Sequence, residues 1–421
     1  MAKEILKTHG LVFIDRGEYL FARVTTYDGR GMTVSPYGER WRQLRKICTL
    51  ELLSAKKVQS FLSVREEEVA NLVEMLLSLA GTPVNLTQKL LSSTNDITSR
   101  AAFGKKCKEK DKFLSLMKEV VELGGGFELE DLFPSLKFLH WISKTKPKLQ
   151  KLHQQVDKIL EDIMNEHRLD RISIRNKARK SIMEEDLVDV LLRLQEENDQ
   201  LTFPLENNNI KAVITEIFFA GSESSSTTIE WAFSEMMRNP RIMEKAQSEV
   251  RHVLRGKTKI GQSDINKLNY MKLIIKETLR LHPVSPLMAP RQSRELCEID
   301  GYQVPSRTKV LVNVWAIARD PEYWSDPETF MPERFHDLSV NYNGSDFEYI
   351  PFGAGKRICP GIAFAVANME LQLANLLYHF DWKLPNGVKQ EELDMTEHFG
   401  ATAGRKSNLY LIPTPYYAPL D

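Results

Sequence analysis

The 421-residue chain carries 57 Lys plus Arg against 57 Asp plus Glu. No global field therefore draws it to a polynucleotide or an anionic surface, and nucleic acid is not an expected partner. Cys48, Cys107, Cys297 and Cys359 are too scattered for a disulfide scaffold and form no CxxC pair, which points to a reducing compartment.

Taken in chain order, the opening MAKEILKTHG is polar and resembles neither a signal peptide nor an anchor. No run of about 20 apolar residues offers a membrane span anywhere. Helical periodicity follows over YGERWRQLRKICTLEL, over VQSFLSVREEEVANLVEMLLSLA and in a third segment ending at Ala102. The charged RLDRISIRNKARKSIMEED, 168 to 186, reads as an exposed connection, and DLVDVLLRLQEE behind it as helix. A much longer helix is expected from near Pro204, a favoured first-turn residue, to Arg238, ahead of Asn239 and Pro240. At 1.5 Å per residue it spans roughly 50 Å. Helices at about 241–254 and 266–281 come next, then β-like pieces in EIDGYQVP and TKVLVNVWAI. IAFAVANMELQLANLLYHF, 362 to 380, is apolar around most of its surface and is expected as a buried last helix; KSNLYLIPT is a terminal strand. No repeat or low-complexity linker divides the chain, so the expectation is one domain over 1–421, mainly α with minor antiparallel β.

Five short stretches carry chemistry. In WRQLR, Trp41 and Arg45 share a helix face at i, i+4; alone they read as a core Trp with an exposed Arg. AGSESSSTT, 220 to 228, is poor helix-forming material, so something local must compensate, such as hydroxyls bonding back to carbonyls or a cofactor lying against small residues. KETLR places Glu277 and Arg280 at i, i+3, an ordinary ion pair unless buried, and PERF supplies Arg334 in an apolar setting. Finally, PFGAGKRICPG, 351 to 361, surrounds one cysteine with Gly353, Gly355 and Gly361, ahead of the buried helix. Such a loop lets the backbone approach a flat ligand, with Pro360 suited to the first helical position. A thiolate at that helix N-terminus is expected to have a lowered pKa. Zinc would need further Cys or His ligands, which the neighbourhood lacks, whereas haem iron takes a single protein thiolate.

PFGAGKRICPG resembles the Cys-ligand signature of the cytochrome P-450 haem-thiolate monooxygenases, and the wording of the whole chain from about residue 1 to 415 resembles the plant A-type group. The resemblance implies the mainly helical P-450 fold, haem b, and a proximal iron ligand at Cys359, with Arg357 on a propionate and Phe352 shielding the sulfur. By the same resemblance Trp41, Arg45 and Arg291 serve the propionates. Glu277, Arg280 and Arg334 match the structural triad, a scaffold for the Cys loop. Glu223 and Ser224 match the acid and hydroxyl of the oxygen-activation groove, with Ser where Thr is usual.

Substrate contacts are implied at Phe219, Ala220, Leu287, Met288, Phe399 and Ala401, all apolar or small, so the substrate is expected to be hydrophobic. The implied reaction inserts one oxygen atom from O2, with electrons from NADPH through NADPH-cytochrome P-450 reductase. Arg40, Arg42, Lys46 and Lys356 are a candidate basic patch for that acidic donor. IEWAFSEM and DMTEHFGAT most resemble terpenoid-oxidising enzymes. The family type sits on the cytosolic face of the endoplasmic reticulum membrane. It begins with an anchor, a hinge, a first helix and strands that do not precede Met1, so a truncated form of reduced stability is expected. The rival readings are a haem-thiolate isomerase or dehydratase, against which Glu223 with Ser224 argues, and a catalytically silent haem-binding protein.

Overall fold

Amphipathic and apolar segments fold into ten helices of eight residues or more among the described residues. They are α1 (Glu39–Cys48), α2 (Leu62–Ser78), α3 (Leu86–Phe103), α4 (Lys110–Gly124), α5 (Thr145–Asn176), α6 (Leu187–Glu197), α7 (Asn207–Arg238), α8 (Pro240–Val253), α9 (Asn269–Leu281) and α10 (Ile362–His379). The structure is a computed structural model. It describes all residues except 18, 125–127, 134–135, 137–143, 177–184, 198–200, 258–259, 399, 401 and 418–421.

The long central helix starts later than expected, at Asn207. Glu206 caps it, and the Asn209 side chain accepts the Glu206 N–H at 3.0 Å in a reciprocal box, so Pro204 lies outside. Asn239 and Pro240 end it as expected. The serine-rich stretch does not break it. Ser224 Oγ donates to Ala220 O at 2.6 Å and Thr228 Oγ1 to Ser224 O at 2.9 Å, and the helix runs on because nearly every side of it is buried. Packing overrides propensity here. Gly221 serves that packing: a Cβ would stand 2.9 Å from Thr98 Cγ2 of α3, so the two helices can approach closely.

All strand pairings among the described residues are antiparallel. β1 (Asp15–Arg16), β3 (Arg291–Gln292) and β6 (Lys309–Val310) form one small sheet, with Arg16 opposite Arg291. β2 (Val84–Asn85), β10 (Tyr410–Pro415) and β7 (Phe380–Lys383) form another, β4 (Cys297–Ile299) and β5 (Tyr302–Val304) a hairpin, and β8 (Glu397–His398) and β9 (Gly404–Arg405) a pair. Most of TKVLVNVWAI is not strand: only Lys309–Val310 pairs, and Val314–Ile317 is a helical turn capped by Asn313.

Charge misleads at 168–186. Residues 168–176 are the end of α5, while 177–184 lie outside the described residues. The stripe of Leu149, Leu152, Val156, Ile159 and Leu160 is buried, and this period-3.6 signal identifies α5.

α9 carries the triad. Glu277 and Arg280 are fully buried and meet twice, Nε to Oε2 at 2.8 Å and Nη2 to Oε1 at 2.9 Å. Arg334 donates Nε to Oε1 at 2.9 Å, and Met331 N–H adds a bond at 2.8 Å. The remaining guanidinium donors reach carbonyls of Ala318, Pro327, Ser325 and Thr329, so the charges are tied to backbone on several sides. Tyr349 links this knot to the next loop: its ring packs on Trp324 and Phe335, and its hydroxyl donates to Lys276 O at 2.8 Å.

Candidate active site

Just beyond Tyr349, the backbone of 350–361 folds into a short hairpin-like loop. Gly353 N–H donates to Ile350 O at 2.9 Å and Cys359 N–H to Phe352 O at 2.9 Å, around a 3₁₀ turn at Gly355–Arg357. Gly353 and Gly355 have φ of +75° and +72°, which L side chains rarely adopt. At Gly355 a Cβ would also stand 2.1 Å from Leu6 O, so the loop rests directly on the N-terminal turn Glu4–Thr8. Gly361 needs no such freedom. It caps α10 at φ −92°, and Pro360 precedes that cap instead of opening the helix.

Cys359 borders a cavity of about 1700 Å³, counting the space at its mouth. α7 supplies one wall through Phe219, Ala220, Ser224 and Thr228, and the other comes from Met288, Phe352, Arg357 and Gly361. Burial pushes the Cys359 thiol pKa up, and the Gly361 N–H and Arg45 offset this only in part. The expected lowering by the helix end is therefore outweighed by desolvation. A bare thiolate is disfavoured there, and ionisation is coupled to a cation taking the proton's place.

The cavity also carries a cluster of positive charge. Arg16, Arg45, Arg291 and Arg357 all line it. Arg357 Nη2 donates to Ser35 O at 2.6 Å, and its guanidinium lies 4.9 Å from the Trp41 ring centre. Arg16 Nη1 donates to Ala289 O at 2.6 Å. Burial, then repulsion from Arg16, brings Arg291 and Arg357 down to about 9, and burial brings Arg16 to about 10. Arg291 Nε and Arg357 Nε are buried without a partner. Two carboxylates bear on Arg357 and both are engaged: Asp15 accepts the Tyr37 N–H at 2.7 Å and pairs with Arg294 at 3.1 Å, and Glu216 holds the N–H groups of Met32 and Thr33 at 2.6 and 2.9 Å, with burial pushing it up to about 7. Three close cations, two of them with a spare buried donor, call for an anionic ligand. A flat dianion with a metal at its centre, as haem is, fits a cavity lined by both a thiol and a cluster of guanidinium groups.

The expected residues distribute as follows. Trp41, Arg45, Arg291, Phe352, Arg357 and Cys359 come together around this cavity, as do Ser224, Phe219, Ala220 and Met288. Arg45 has a second duty, since its Nη2 donates to Ile358 O at 2.7 Å, beside the cysteine. Leu287 is not among the lining residues, because the left-handed Met288 (φ +54°) turns the chain so that Met288 faces inward. Phe399 and Ala401 lie outside the described residues. Glu223 does not line the cavity either: its Oε1 accepts the Thr402 hydroxyl at 3.4 Å, and burial pushes its pKa up. Thr402 does line the cavity and so connects the two. Sequence reasoning misses Arg16, Glu216 and Thr402; only the pairing of Arg16 with Arg291 across β1 and β3 singles out the first. Of the candidate basic patch, Arg42, Lys46 and Lys356 are exposed, while Arg40 lies 4.5 Å over the Phe203 ring.

Comparison with known proteins agrees with this geometry. The family model described as Cytochrome P450 matches residues 1–411. Desmethyl-deoxy-podophyllotoxin synthase of Sinopodophyllum hexandrum is 56% identical over 98% of this chain and 81% of its own. Premnaspirodiene oxygenase of Hyoscyamus muticus and germacrene A hydroxylase of Barnadesia spinosa are each 52% identical, over 99% of this chain and 82% of theirs. A zebra fish cytochrome P450 solved with abiraterone shares the fold with TM-score 0.80 at 23% identity, over 99% of this chain and 92% of that one.

Proposed function

The chain belongs to the cytochrome P450 family and is a haem-thiolate monooxygenase of the plant A-type group, and from that premise we propose that it oxidises a terpenoid hydrocarbon skeleton, using haem b. The observation that carries a hydrophobic substrate is the apolar part of the cavity's lining, to which Phe219, Ala220, Val284 and Met288 contribute. Relatives named for premnaspirodiene and germacrene A support the same class.

Bound at Cys359, the haem supplies O2 activation, which the thiolate's electron density favours. The side chains of this protein hold the group, exclude water and carry protons. Arg16, Arg291 and Arg357 take the propionates, and Trp41 backs Arg357. Glu223, whose pKa burial raises, accepts the Thr402 hydroxyl, and this pair relays protons to the cavity wall that Thr402 and Ser224 line. Ser224 already donates to Ala220 O, so its oxygen is free to accept from water. Arg42, Lys46 and Lys356 form the docking face for NADPH-cytochrome P450 reductase. No described helix is long and apolar enough to cross a membrane; for the full-length family type we place this domain on the cytosolic face of the endoplasmic reticulum.

The test is turnover of haem-loaded protein with a plant reductase, NADPH and either germacrene A or premnaspirodiene. Addition of one oxygen atom is expected. Glu223→Gln should lower product per NADPH by about 10²-fold while NADPH is still consumed, because a proton donor in the transition state contributes about that much. Oxidation confined to phenolic lignans would overturn the substrate class. Unchanged coupling in Glu223→Gln would overturn the relay.

A further inference from the structure

The Thr402 hydroxyl meets Glu223 only at 3.4 Å, the far end of hydrogen-bond range, so that contact does not by itself hold the segment in place. Its neighbour is what is held. Ala403 N–H donates to Val284 O at 2.8 Å, and Ala403 O accepts Trp231 Nε1–H at 3.1 Å. Both backbone groups beside Thr402 are thus tied, one to the chain that follows α9 and one to α7. Gly404 and Arg405 continue along the same helix. A Cβ at Gly404 would stand 3.8 Å from Thr227 Cγ2, and Arg405 Nη1 donates to Ser234 Oγ at 3.0 Å.

Trp231 is fully buried, as a residue of core packing alone would be. Its surroundings do more than bury it. The His282 ring lies flat on the indole, with ring centres 4.0 Å apart and planes 2° from parallel. That ring is fixed in turn: Nε2 lies 2.7 Å from Glu235 Oε1, one helical turn beyond Trp231, and Nδ1 lies 3.7 Å from Glu397 Oε1. Glu397 of β8 is opposite Arg405 of β9. Hence the strand before Thr402 and the strand after it both bear on this one stack. Burial does not oblige an indole of this protein to find a carbonyl, since Trp324 Nε1 is buried without a partner among the described residues.

We propose that Trp231, held by His282, is a positioning residue for Thr402: its N–H fixes Ala403 and so sets how far the Thr402 hydroxyl stands from Glu223. A contact this long is lost when the segment moves outward by about half an ångström. The consequence for catalysis rests on the proton relay proposed above; the positioning itself does not.

Hydrogen exchange of the haem-loaded protein, followed peptide by peptide, reports on the Ala403 N–H. Trp231→Phe keeps a ring against His282 and removes the donor. Exchange across 402–405 should then become roughly two to ten times faster, the equivalent of one hydrogen bond, while α3 and α9 keep wild-type rates. His282→Gln, which retains a polar partner for Glu235 and loses the flat ring, should act in the same direction. In turnover with premnaspirodiene, Trp231→Phe should lower product per NADPH by roughly the same factor, and should cost nothing further in a Thr402→Val background. Unchanged exchange at 402–405 in Trp231→Phe, or exchange raised alike at 402–405, α3 and α9, would overturn the assignment. So would an equal loss of coupling in both backgrounds, which is what a merely structural Trp predicts. Exchange needs no turnover, so failure of the proposed reaction is distinguishable from failure of this inference.

Discussion

Glu277→Gln is expected to give protein that retains no haem and melts far below the wild type, or fails to fold. One carboxylate here serves two guanidinium groups and a backbone N–H. Gln offers one acceptor oxygen and turns an NH2 toward donors, stranding at least one buried cation. Breaking such a pair costs about 3–5 kcal/mol, a large share of the roughly 5–15 kcal/mol that holds a domain folded. The loss falls on the Cys loop, because Arg334 and Tyr349 anchor the segment that leads into it. Glu328→Gln is the control. That carboxylate is 70% exposed beside Arg319, and its pair should contribute under about 1 kcal/mol. Comparable melting temperature and haem content in wild type and Glu277→Gln would show that the triad is not the scaffold.

Removing one positive charge from the arginine cluster should act with opposite signs on the empty and the loaded protein. Arg291 is buried, repelled by Arg16 and Arg357, and leaves Nε unpaired. Without an anion it is a liability, so Arg291→Met should raise the melting temperature of the haem-free chain. With a propionate in place the same guanidinium makes charge-assisted hydrogen bonds worth about 1.5–3 kcal/mol, so the variant should release haem to apomyoglobin roughly 10 to 100 times faster. A merely structural arginine would destabilise both forms together, and that outcome would contradict the assignment.

Much of this site was legible because its parts are local in sequence. The Cys loop, Glu277 with Arg280, and Trp41 with Arg45 each lie within one turn or one loop, where spacing dictates geometry. Arg16, Glu216 and Thr402 were not legible, since each reaches the site only through tertiary packing: Arg16 in a two-residue strand, Glu216 on α7 against a loop whose N–H groups it holds, and Thr402 in the turn that meets Glu223. Residues 168–176 misled because the solvated face of a helix end and a solvated loop share a composition. Pro204 and Pro360 are favoured at first turns, yet side-chain caps at Glu206 and the backbone at Gly361 set the starts instead. At Cys359 two known effects oppose each other, and sequence cannot weigh the helix end against burial.

The measurement that reaches furthest is the absorption spectrum of the reduced CO complex, in wild type and in Cys359→Ser. Sulfur ligation from position 359 predicts that the wild type shows the red-shifted Soret band of thiolate-bound haem and that the serine variant loses it while the polypeptide stays folded. A wild-type spectrum typical of imidazole ligation, or the same band in both proteins, would contradict the account.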